Sequence, residues 1–174
     1  MLNGKDRLIK SSRLVVRIAV VTNRLFLLAV VMGLLLSWMF PAQFATLLIP
    51  QNPGIDVRSA MTGLRLLMLL GIAMAVATDR LLAALAQIIA SACAGDPFIS
   101  ANARRLQTIG WALLVLQLLD IPGAIIERFF PGLGSGAPNG TFSLGGWMAV
   151  LMVFVLSRVF SVGSAMRDEL EGTV

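Results

Sequence analysis

Residues 25–55, LFLLAVVMGLLLSWMFPAQFATLLIPQNPGI, contain no Asp, Glu, Lys or Arg. Crossing a hydrocarbon core about 30 Å thick takes roughly 20 apolar helical residues, so this stretch alone is long enough to span a bilayer. Further uncharged runs lie at 66–78, 106–117 and 141–157, separated by short charged clusters. Composition points the same way: 57% of residues are hydrophobic, 13% are charged, and the mean hydropathy is +0.87, whereas a soluble domain carries about 25% charged residues. The pattern predicts an all-α integral membrane bundle of four transmembrane helices.

With 174 residues the chain fits a single membrane domain, and four spans leave only short loops and tails. Residues 1–24 form a basic segment in which Leu8, Ile9, Val15, Val16 and Ile18 interleave with Lys5, Arg7, Lys10, Arg13, Arg17 and Arg24. The apolar run that follows exceeds the roughly 7–15 residues of a signal core and has no prompt small-residue cleavage site, so it reads as a retained span. The spans are expected at about 25–47, bent near Pro41, and at 60–80, 106–126 and 144–160. Residues 81–105 are expected to form a cytoplasmic or interfacial helix, continuing from the second span through Ala94, followed by a turn, since Pro97 disfavours helix in the residue before it. Ser100 and Ser143 are candidate N-caps, and 161–174 forms a cytoplasmic tail.

Cytoplasmic loops retain Lys and Arg. Four spans would place eleven of the fourteen basic residues on one side and only Arg58, Arg65 and Arg128 on the other, so the expected location is a bacterial inner membrane with both termini cytoplasmic. A basic amphipathic segment on anionic lipid headgroups accounts for the net charge of +5. No recognition motif accompanies that charge, so direct nucleic-acid binding is not expected.

Absences narrow the chemistry. The chain has no His and no Tyr, and Cys93 is its single cysteine. That excludes a His-based triad, a Cys/His zinc site and an intramolecular disulfide. Phosphate-loop, dinucleotide-binding and kinase signatures are also missing, so neither an enzyme nor a cofactor is expected. Cys93 has two readings, a packed thiol or a palmitoylated one near the cytoplasmic face.

Charge inside a span is costly and usually needs a partner. Arg65 and Asp120 each fall about five or six residues inside the outer end of an expected span. They are a candidate interhelical ion pair beside Pro122; the competing reading has Arg65 reaching the headgroups and Asp120 marking a shorter third span. Arg158 could likewise reach Asp79 near the inner boundary, but at a wet boundary such a pair contributes little, so Asp79, Arg80 and Arg158 read rather as orientation signals. Gly71, Ala73, Ala75 and Ala77 give two small-xxx-small spacings that serve close helix packing, either within one chain or between copies in a homo-oligomer. Trp38, Trp111 and Trp147 suit interfacial anchoring.

Gly95-Asp96-Pro97-Phe98, then Asn102, Arg105-Leu106 and Ile109-Gly110, then Phe142-Ser143-Leu144, and finally Arg167-Asp168-Glu169-Leu170-Glu171-Gly172-Thr173-Val174 together resemble a bacterial membrane family catalogued as domain of unknown function 2975. Met166 stands where that resemblance leads one to expect leucine. It implies a four-span inner-membrane protein without an assigned activity, and a link to small soluble helix-turn-helix regulators encoded beside some members.

The turn at Gly95, Asp96, Pro97 and Phe98 and the tail with Arg167, Asp168, Glu169 and Glu171 share one side of the expected topology with Arg104 and Arg105. They could form a cytoplasmic docking surface for a soluble regulator. Alternatively, the tail packs on the turn, with Arg104 or Arg105 pairing to Glu169 or Glu171. An interaction or regulatory membrane protein is therefore expected, and a subunit of a small-solute or ion transporter or channel is the alternative.

Overall fold

The computed structural model describes residues 4–48, 56–94, 99–130 and 143–171. All regular structure among them is helical: α1 (Gly4–Met39), α2 (Pro41–Leu48), α3 (Val57–Cys93), α4 (Ser100–Phe129) and α5 (Leu144–Glu171). Four segments are long and apolar enough to cross a membrane, Ser11–Met39, Val57–Cys93, Ser100–Phe129 and Leu144–Arg167. The protein is thus an all-α, multi-pass membrane protein, as the apolar runs predict.

Local sequence sets most helix ends. Proline cannot donate the backbone bond that a continuing helix needs but is well suited to a first helical position; accordingly α1 stops at Met39 and Pro41 begins α2. Asp56 caps α3 by accepting from the amides of Arg58 and Ser59 at 3.2 Å. Ser143 caps α5, its hydroxyl accepting from Gly146 N–H at 3.1 Å. Ser100 is not the cap of α4 but its first residue; Ile99 holds the capping position and offers no side-chain bond.

The helix expected to continue beyond Arg80 does so as part of α3. Asp79 and Arg80 do not interrupt α3, which runs unbroken through residue 93; its 37 residues extend about 55 Å at ~1.5 Å per residue. Likewise the basic segment is the first half of α1 rather than a distinct surface helix.

The long helices pack in chain-adjacent antiparallel pairs, α1 on α3, α3 on α4 and α4 on α5, so they form a row in the order α1–α3–α4–α5. At the end of the row away from the start of α1, α2 packs Phe44 and Ala45 against Ala60, Met61 and Leu64 of α3. Small residues let neighbours approach. Gly71 and Ala75 turn to α1, where Val30 stands against Gly71 and Asn23 donates to the Ala75 carbonyl at 2.9 Å. Ala73 is exposed, so one of the two small-residue spacings is used within the chain. Exposed Leu, Val, Met and Phe side chains cover much of the remaining surface, which is what a helix row facing acyl chains requires.

Gly110 is one of two close points of the α4–α5 seam, the other being Gly146 of α5 against Gln117 of α4. A Cβ at Gly110 would stand 3.1 Å from the Phe154 ring, which also meets Trp111 edge-on with centroids 5.5 Å apart. Gly110→Val is therefore expected to overpack the seam and destabilise the protein by about 1–3 kcal/mol, read as a lower Tm of the purified protein in detergent. An unchanged Tm would contradict this packing.

Candidate functional site

Antiparallel pairing gathers most of the basic residues at one end of the row, formed by the first half of α1, the last third of α3, the first half of α4 and the last half of α5. The α3–α4 junction there is built around Asn102, which has no solvent exposure. Its side chain is bonded to the Ser91 hydroxyl at 2.7 Å, and its oxygen accepts from Arg105 at 2.7 Å. The same guanidinium donates to the Gln87 side chain at 3.0 Å and to the Gln87 carbonyl at 3.3 Å. Ser91, Asn102, Arg105 and Gln87 thereby clamp the end of α3 to the start of α4 on either side of residues 95–98. A buried amide left without such partners would cost about 1–3 kcal/mol.

The turn residues Gly95, Asp96, Pro97 and Phe98 lie outside the described residues, as do 131–142 and 172–174. Arg167, Asp168, Glu169 and Glu171 belong to α5, which carries the tail onward as helix to Glu171; the side chains of Asp168 and Glu171 lie outside the description, whereas Glu169 is exposed and Arg167 half-buried. Arg104 and Arg105, neighbours in sequence, have different surroundings. Arg105 is drawn into the clamp, toward Gln87 and Asn102 rather than the tail. Arg104 is exposed beside α5, where it lines a polar cavity with Arg158, Gln107 and serines of both helices.

The expected Arg65–Asp120 pair is not formed. Arg65 turns to α1, donating from Nε to the Ser37 hydroxyl at 3.2 Å and from a terminal nitrogen to the Ser37 carbonyl, with its guanidinium 4.8 Å from the Trp38 ring centroid. The reason lies in register. Extending the Ser91–Asn102 pairing along the antiparallel helices sets Asp120 level with Ala73, about eight residues and hence roughly 12 Å from Arg65. Asp120 itself is partly buried on α4.

Asp79 likewise does not reach Arg158. It pairs with Arg24 of α1 at 3.0 Å, because α3 lies next to α1, while α5 stands on the far side of α4. A second, more apolar groove follows from this α1–α3 pairing, with Arg13, Arg17 and Arg24 along one side and Ala83, Ala86 and Ala90 among its apolar lining.

Sequence reasoning singled out Arg104 and Arg105 but not Gln87, Ser91 or Arg158 as their companions. The available signal was helical spacing: Gln87 and Ser91 are four apart on α3, and Asn102 and Arg105 three apart on α4, so each pair shares a helix face. No cluster of three or more His, Cys, Asp or Glu able to hold a metal occurs among the described residues.

Asn102, Leu106, Ile109 and Gly110, which carry part of the family resemblance, are all buried in the two seams of α4. Neither a curated protein nor a solved structure matches the chain. A family model described as protein of unknown function (DUF2975) matches residues 36–174, taking in part of α1 and all of α2 to α5. On that match, the chain belongs to the DUF2975 family.

Proposed function

We infer that this is a non-enzymatic component of a bacterial inner membrane that works by interaction, offering its basic end to a soluble partner, with both termini cytoplasmic. The observation that carries this reading is the contrast between Arg105 and its surroundings. Arg105 is committed to the α3–α4 clamp, giving that end a fixed base, while Arg104, Arg158 and Glu169 stand exposed around it. Helix α5 has 28 residues, about 42 Å at ~1.5 Å per residue, more than the ~30 Å core needs. Its last turns can therefore project toward water at the basic end of the row. A small helix-turn-helix protein is the partner class that the family resemblance suggests.

Transport through the protein is the less supported reading. Both cavities described above lie in side grooves between neighbouring helices, where a lipid or a partner can enter, rather than on an axis enclosed by all four.

Three measurements test this reading. Affinity purification from native membranes should retain a stoichiometric soluble protein with the full chain and lose it when residues 167–174 are removed; no partner, together with solute flux in liposomes, would overturn docking. Asn102→Ala should instead act on the fold, lowering stability by about 1–3 kcal/mol through the unpaired Ser91 and Arg105 donors, read by thermal unfolding in detergent, whereas the truncation should leave Tm nearly unchanged. For orientation, a fluorescent reporter fused after Val174 should fold in the cytoplasm, and alkaline phosphatase inserted within 131–142 should be active outside it. The reverse pattern would invert the topology.

A further inference from the structure

Ser157 donates its hydroxyl to the Ala103 carbonyl at 3.0 Å, which sets Arg158 of α5 beside Arg104 of α4. Both guanidiniums line one cavity of about 400 Å³ in the α4–α5 groove. No carboxylate lines it, and neither guanidinium has a hydrogen-bond or ion-pair partner among the described residues. Ser164 spends its donor on the Ser161 carbonyl at 3.0 Å. The donors left to the cavity are thus the two arginines, the Gln107 amide and the hydroxyls of Ser100 and Ser161.

The start of α4 adds to this charge. Ile99 in the capping position supplies no side-chain acceptor, and the first turn has no acidic residue, so among the described residues no side chain caps the partial positive charge of the helix terminus. Two guanidiniums without a partner among the described residues, several neutral donors and a helix N-terminus at one groove suit an anion with several oxygens.

The walls select among anions. Phe154 lines the cavity on its apolar side, with Trp111 against it and 55% exposed. Along α4, Trp111 lies two turns deeper into the span than Arg104. A phosphate held at Arg104 and Arg158 would therefore have an apolar track beneath it, which suits an acyl chain and gives a free ion nothing. We propose that the α4–α5 cavity binds the phosphate headgroup of an anionic membrane lipid between Arg104 and Arg158, with the acyl chains running over Phe154 and Trp111. The site does not depend on the docking of a soluble partner, and its test reads lipid alone.

Trp111 supplies a local reporter. In the full-length Trp38→Phe/Trp147→Phe protein, phosphatidylglycerol brominated on its acyl chains should quench Trp111 in preference to brominated phosphatidylcholine. Arg104→Gln/Arg158→Gln should cut that preference by about tenfold or more, whereas Arg13→Gln/Arg17→Gln, in the α1–α3 groove, should change it less than about twofold. Arg104→Lys/Arg158→Lys, which keeps both charges and offers a second chance of a folded protein, should retain most of the preference. Equal quenching by the two lipids, or a preference unchanged in the Gln variant, would overturn the proposal. Displacement of the brominated phosphatidylglycerol by millimolar inorganic phosphate would reassign the cavity to a free ion and overturn the lipid assignment.

Discussion

The amide of Asn102 is shut off from solvent, and a buried amide must be matched by donors and acceptors close at hand. Ser91 comes from α3, Arg105 from one turn further along α4, and Gln87 from one turn back along α3 to complete the guanidinium's bonds. This small polar system fixes which faces of α3 and α4 meet and how far one is shifted along the other. The α3–α4 pair then sets the position of its neighbours, because among the long helices α1 docks chiefly on α3 and α5 chiefly on α4. Arg65 and Ser37 close the opposite end of the α1–α3 seam with a second polar contact.

Much of the fold was legible in the amino-acid sequence because bilayer insertion leaves a local signature. Apolar length decided the four long helices, Pro41 the break after α1, and Ser143 the start of α5. The pairings were not legible in the same way. Arg65 and Asp120 stand at similar distances from expected span ends, but those ends are not the register: the seam at Asn102 shifts Asp120 toward Ala73. Asp79 and Arg158 were separated by an even less local property, the order of helices in the row. The continuity of α3 past Arg80 was legible, since neither Asp79 nor Arg80 breaks a helix; what was not is that Arg24 of α1 is the partner of Asp79.

The candidate site divides along the same line. Arg104 and Arg105 were found by their charge, but adjacent positions on a helix point about 100° apart, and that rotation sends one into the clamp and the other to the α4–α5 groove. The residues behind the family resemblance tell a similar story. Asn102, Leu106, Ile109 and Gly110 lie on the buried faces of α4, so part of a pattern that invited a functional reading is accounted for by helix packing.

A row differs from a ring in how strain is shared. Its seams act in series: a disturbance at the α1–α3 contact can reach the α4–α5 groove only through α3 and α4, as in other quasi-one-dimensional assemblies where each unit feels its nearest neighbours. Substitutions in the two outer seams should accordingly combine nearly additively, while a change at Asn102 sits in the one link that joins the two halves.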